Sequence, residues 1–202
     1  MIDGRIEMFF PTVLFVKDNI LINELKIYKD NILEYFDKNE TKKTFDGSML
    51  DNSYFKENNI FSNKIYKNLI KEITSCCIFY CQKLGFSENQ IAEYGIQNIW
   101  ANLIKKYDYH NQHTHSTKGE SLISGVFYVD APKSAKLKFE NPNSRNYSAE
   151  NPENVNELNF DFVNYTCEPG RLLLFRGYTL HGYDSHLDDK NKISVAFNFG
   201  PI

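Results

Sequence analysis

The chain has 202 residues, 42% of them hydrophobic and 15% aromatic, with a formal net charge of −3. That is enough apolar mass for one well-cored domain. The mildly acidic balance argues against a non-specific nucleic-acid binder, which needs a basic surface to displace counterions from phosphates. No apolar run approaches the length of a membrane span, and the N-terminus, MIDGRIEMFFPTVLFV, lacks the small-residue cleavage site of a signal peptide.

FFPTVLFV (residues 9–16) reads as an opening strand, with Pro11 suited to an edge or a start. From Asn23 onward, Leu25, Tyr28, Ile32 and Phe36 recur at three- and four-residue steps. That periodicity predicts an amphipathic helix with Lys26, Lys29, Asp30 and Glu34 on its solvated face. FDGSMLDNSYFKENNIFSN, rich in Asn, Asp and Ser, reads as a surface connection. A second helix is expected from about Lys64 to Leu84, with Ile65, Leu69, Ile73 and Cys77 inward and Gly85 as its stop. Cys76, Cys77, Cys81 and Cys167 read as buried free thiols, which suits a reducing cytoplasm.

After Gly85 the texture changes to short apolar or alternating runs: GIQNIWANLIKKYDY, SLISGVFYVDAP, AKLKFENP, FDFVNYTCEPG, RLLLFRGYTLHG and KISVAFNFG. Gly, Pro, Asn and Asp punctuate them, which is the pattern of an antiparallel sandwich or barrel. The expectation is one domain over residues 1–202, with 1–90 mostly helical support and 91–202 the β core. A polar insert, Asn141 to Asn159, is placed as a lid or binding loop, with Arg145 as a substrate-binding candidate for an anionic group.

Three of the five histidines lie between positions 110 and 115. His113 and His115, two apart in extended chain, share one face, as two metal-binding nitrogens on a rigid element would. His181, just past the strand RLLLFRGYTL, is the natural third. His110 has the opposite parity to His113 and is expected to point away, and His186 falls in a polar loop. Two histidines plus a third leave positions open on an iron that activates oxygen, or on zinc. Lys192 and Ser194 share a face at the start of the last strand. A cation and a hydroxyl there suit the far end of a dicarboxylate whose near end chelates the metal.

The order W-x-N, N-x-x-H-x-H, SGVFYVDAP, PGRLLLF, H, K-I-S-x-A-F-N resembles the iron(II)/2-oxoglutarate-dependent oxygenase superfamily. Within it, the chain more closely resembles a group of 2-oxoglutarate–iron oxygenases that opens on an FPT-like strand. The resemblance covers most of the chain, most strongly residues 98–202. It implies a mainly β fold, a double-stranded β-helix (jelly-roll) core with the N-terminal helices packed on its outer face. It further implies Fe(II) as cofactor and 2-oxoglutarate as cosubstrate, with O2 consumed and succinate and CO2 released as a small-molecule or protein side-chain substrate is hydroxylated. His113 and His181 match the superfamily's first and distal histidines. His115 stands where aspartate is usual, and either it or a carboxylate such as Asp108 or Asp184 completes the set. Lys192, in place of the commoner arginine, and Ser194 match the anchor for the far carboxylate. Asn102 matches a position that helps hold the cosubstrate. Two rival readings are a cupin-like three-histidine metalloenzyme without 2-oxoglutarate, in which Lys192 is not aimed at the metal, and a non-catalytic jelly-roll binding module. A nucleic-acid base in the pocket, as in repair dioxygenases, is disfavoured by the lack of a basic patch.

Overall fold

A computed structural model describes residues 5, 11–39, 47–54, 59–115, 121–143, 153–154, 156 and 158–202. Arg145 and Tyr147 of the polar insert, like the first two residues of FFPTVLFV, lie outside these. The described strands are β1 (Leu14–Lys17), β2 (Asp51–Asn52), β3 (Tyr94–Ile104), β4 (His110–His113), β5 (Ile123–Asp130), β6 (Lys136–Glu140), β7 (Phe162–Thr166), β8 (Leu172–Arg176), β9 (His181–Tyr183) and β10 (Lys192–Pro201). The helices are α1 (Leu25–Lys38), α2 (Lys67–Lys83) and the short α3 (Glu88–Ile91).

The strands form two sheets. One has six strands in the order β1-β8-β5-β10-β3-β2, the other four in the order β4-β9-β6-β7, and every pairing is antiparallel. Neighbouring strands thus come from distant parts of the chain, and the two sheets face each other as the halves of a jelly roll. The helices cover the outer face of the larger sheet, as the sequence implied.

Strand alternation explains the layering. In β10, Ile193, Val195, Phe197 and Phe199 point outward and join Phe127, Val129, Leu172 and Leu174 beneath Tyr28, Ile32, Leu69 and Ile73 of the helices. Each such side chain, when fully buried, contributes about 1.5–3 kcal/mol of transfer free energy. The alternate residues Val126, Tyr128, Leu173 and Phe175 face the other way, into a second core between the sheets with Leu137 and Phe139. The same parity sends Lys192, Ser194, Ala196 and Asn198 into the barrel.

α1 buries Tyr28, Ile32 and Phe36 as its periodicity predicted, while Leu25 is only half-buried. α2 starts later than expected, because a 3-10 turn occupies Lys64–Tyr66, and Ile65 is half-buried there. The chain leaves α2 through Gly85 at φ 91°, a left-handed conformation that costs glycine little. All four cysteines are buried free thiols.

The segment read as a surface connection is partly core. Leu50, Asn52 and Ser53 are buried, and β2 closes the edge of the larger sheet against β3. Polar side chains can go inside there because they are satisfied: Asn52 Nδ2 donates to Asn102 Oδ1 at 2.8 Å, and Ser53 Oγ accepts from the Ala101 amide at 2.9 Å.

Candidate metal centre

Strands β4 and β9 pair antiparallel, with His113 opposite His181 and His110 opposite Tyr183. That pairing needs Gly182, where a Cβ would stand 2.6 Å from the His110 carbonyl oxygen and 2.9 Å from that of Asn111. With no side chain there, β9 lies close against β4 and the two strands' histidines meet inside the barrel. His115 follows β4, its amide donating to the Gly177 carbonyl at 2.8 Å, which returns its ring to the same cavity.

One ring nitrogen from each of His113, His115 and His181 lies within 4.8 Å of the others. The second nitrogens settle the tautomers. His113 Nδ1 is 2.8 Å from the Asn111 carbonyl oxygen, and His181 Nδ1 is 2.8 Å from that of Thr179. A carbonyl oxygen can only accept, so both Nδ1 atoms carry hydrogen. His115 Nδ1 donates in the same way to Asn198 Oδ1 at 2.6 Å. Each Nε2 is therefore left with a lone pair, and those of His113 and His115 face each other at 3.0 Å. Lone pairs at that separation repel unless a cation stands between them, so the donor set fits a divalent metal ion. Burial, opposed by the Asn198 hydrogen bond, lowers the His115 imidazole to about 4. Burial and the neighbouring His113 and His115 hold His181 well below its usual range. Both rings are thus unprotonated at neutral pH, as metal ligation requires.

Neither alternative carboxylate joins the cluster. Asp108 closes a turn by accepting from the Lys105 amide at 2.8 Å, and the exposed Asp184 carboxylate lies 3.9 Å from Lys138. His110 corrects the parity argument. A bulge between His110 and His113 adds a residue to β4, so the His110 ring stacks on His113 with centroids 4.2 Å apart and lines the same cavity. His186 is buried rather than in a solvated loop, its Nε2 donating to the Lys190 carbonyl at 2.8 Å. Trp100 stacks on the His115 ring at 5.8 Å, with Tyr54 edge-on against Trp100.

Further along the same inward face lie the residues placed by the carboxylate argument. Asn102 and Ser194 are register partners on β3 and β10, and Asn102 lines the histidine cavity. Ser194 Oγ is buried without a hydrogen-bond partner. Lys192 is 2% exposed, and its ammonium lies against the face of the Tyr183 ring. Tyr183 Oη shares a hydrogen bond with Tyr128 Oη at 3.0 Å. Burial pushes Lys192 down to about 7. It also holds both tyrosines well above their usual range, so this end of the barrel collects the buried Lys192 amine and three uncharged hydroxyl donors. Tyr128 and Tyr183 were missed in the sequence, although Tyr128 sits in the quoted run SGVFYVDAP. Tyr183 also lines a separate cavity of about 400 Å³ at this end, together with Lys192, Asp184 and His186, away from the three-histidine cluster.

A two-sheet antiparallel jelly roll with histidines gathered inside it defines a class of metal-binding β proteins. The comparisons narrow that class. Residues 98–198 match the family model described as "Putative 2OG-Fe(II) oxygenase", half of the chain, and the chain belongs to that family. Among solved structures it resembles a prolyl-4-hydroxylase from Pseudomonas putida, at 8% identity over 95% of this chain and 94% of that one, with a TM-score of 0.67. It also resembles HygX from Streptomyces hygroscopicus, solved with nickel and 2-oxoglutarate bound, at 12% identity over 94% and 83%, TM-score 0.61. A third likeness is the viral collagen prolyl hydroxylase of Paramecium bursaria Chlorella virus-1, at 11% identity over 94% and 96%, TM-score 0.59. No curated protein matches the chain. At these identities the likenesses establish the fold, the jelly roll implied by the sequence. No helix among the described residues is long and apolar enough to cross a membrane.

Proposed function

We propose that this family member is an Fe(II)- and 2-oxoglutarate-dependent hydroxylase acting on a small molecule or a protein side chain, with His113, His115 and His181 as metal ligands. The observation that carries this is the convergence of three imidazoles, each tied down at Nδ1, on the barrel face that also bears Lys192 and Ser194. Bound iron would supply oxygen activation coupled to oxidative decarboxylation of 2-oxoglutarate to succinate and CO2.

The chain's own work is binding, orientation and exclusion of water. The Asn111, Thr179 and Asn198 oxygens lock the rings so that no reorganisation is needed when a cation arrives. Lys192, costly to bury alone, offers its charge to the far carboxylate of the cosubstrate; Ser194, Tyr128 and Tyr183 supply hydroxyl hydrogens, and Asn102 lines the path between. Lysine holds a carboxylate as a point charge rather than through a fork, so the hydroxyls do the orienting. Trp100 and Tyr54 form an apolar wall beside His115 that suits the approach of a substrate C–H bond.

The test is thermal stabilisation of chelator-stripped protein by Mn(II), by 2-oxoglutarate and by both, with succinate release measured under Fe(II). A shift that needs both ligands, and that disappears in His113→Ala and His181→Ala, supports the reading. A metal response indifferent to 2-oxoglutarate favours the cupin-like alternative, for which the all-imidazole donor set speaks. No metal response at all defeats both.

A further inference from the structure

His115 stands where the superfamily has a carboxylate, and the exchange creates a problem of aim. Either oxygen of a carboxylate can bind a cation, whereas an imidazole offers its lone pair from one nitrogen only when the other carries the hydrogen. For His113 and His181 that hydrogen is held by main-chain carbonyls, those of Asn111 and Thr179. For His115 it is held by a side chain, Asn198 Oδ1, at 2.6 Å. Asn198 lies on β10, four residues beyond Ser194 and on the same inward face. Its oxygen is fixed in turn by the buried Ser124 hydroxyl at 3.3 Å, while Ser121 Oγ, 3.4 Å away, spends its own hydrogen on the Ile123 carbonyl at 2.9 Å.

We propose that Asn198 is a positioning residue that sets both the direction and the charge of the three-histidine centre. The inference rests on the metal-binding reading above. Of the three groups behind the imidazoles, Asn198 is the one whose charge the sequence can choose. A carboxylate there would draw the His115 hydrogen toward itself, make the ring a stronger donor and place a negative charge beside the cation. The amide aims the ring as well and adds no charge. The ligand set and its three supports are then all neutral, and a bound divalent cation keeps its full charge for whatever occupies the remaining positions. Such a centre favours a dianionic chelating ligand, and Asn198 is what keeps it so.

The experiment compares wild type, Asn198→Ala and Asn198→Asp, each stripped with chelator. Co(II) is titrated by visible absorption, and 2-oxoglutarate is then titrated into the Co(II)-loaded proteins by calorimetry. Asn198→Ala is expected to lose about 10–100-fold in Co(II) affinity, the usual effect of removing a hydrogen-bond partner behind a ligand. Asn198→Asp is expected to bind Co(II) about tenfold more tightly and 2-oxoglutarate about tenfold more weakly. Opposite movement of the two affinities is a signature that a merely structural role does not produce, and Asn198→Asp carries the test even if the alanine variant misfolds. Equal Co(II) binding in wild type and Asn198→Asp, or weakening of both ligands by the aspartate, overturns the proposal while leaving the metal reading intact. Absence of Co(II) uptake by wild type overturns both.

Discussion

Lys192→Met removes a buried charge while nearly keeping the side chain's volume, and its effect on stability follows from the surroundings. The ammonium is enclosed by the Tyr183 ring, the Tyr128–Tyr183 hydroxyl pair and the Cys167 thiol, and burial holds these three acids un-ionised. Desolvation, only partly offset by Cys167, lowers Lys192 from 10.5 to about 7. At roughly 1.4 kcal/mol per pH unit, that difference corresponds to a native-state penalty of about 5 kcal/mol. The penalty is complete below pH 7, where the folded protein must hold the cation. Between pH 7 and 10.5 the unfolded chain binds a proton that the native state does not, so wild-type stability rises with pH, and above that window the penalty is gone. The methionine variant should therefore be more stable than wild type by up to about 5 kcal/mol at pH 6, with the advantage shrinking towards zero near pH 10. Urea denaturation of both metal-free proteins at pH 6, 8 and 9.5 measures this, since titrations not coupled to Lys192 cancel in the difference. A variant less stable than wild type at pH 6, or a difference that does not change with pH, would refute the reasoning.

The same lysine predicts proton uptake. A carboxylate against Lys192 restores its charge, so binding of 2-oxoglutarate above pH 7 should take up close to one proton per site; calorimetry in buffers of different ionisation enthalpy measures it, and equal heats would speak against the contact. Gly182→Ala should cost about 1–3 kcal/mol and weaken Mn(II) binding, because its Cβ would press on the His110 and Asn111 carbonyls and push β9 off β4. A fully stable variant with unchanged Mn(II) affinity would show that this close approach is dispensable. Asp130 joins Lys29 of α1, at 2.7 Å, to Lys190 before β10, at 2.5 Å. Burial opposes its ionisation, but the two ammonium groups hold it below the usual carboxylate range. Its contribution is therefore present above pH 3.8 and lost as pH falls through the lower folded value. Asp130→Asn should cost about 1–3 kcal/mol at pH 7, read from denaturant midpoints, with the difference vanishing in acid.

Much of this architecture was written in periodicity and order. The three- and four-residue spacing of Tyr28, Ile32 and Phe36 and the two-residue alternation of KISVAFNFG specify faces, because helix and strand geometry turn spacing into direction. His113 and His115 were legible as a pair for the same reason, and so were Lys192 and Ser194, while His181 was a candidate only from its place just past a strand end. Continuing that alternation from Ser194 through Ala196 would have reached Asn198 as well, but nothing local says that its neighbour across the barrel is an imidazole. His110 was misread because a bulge is a property of the pairing between β4 and β9, and spacing within one strand cannot register it. The burial of Asn52 and Ser53 depends on β3 offering Asn102 and the Ala101 amide to a short edge strand nearly fifty residues away in the chain. The sequence by itself thus determined which residues share a face and which chemistry they can perform. Tertiary structure alone decided which faces meet, since hydrogen bonds between distant strands, and the tautomer that Asn198 imposes on His115, exist only once the two sheets have closed on one another.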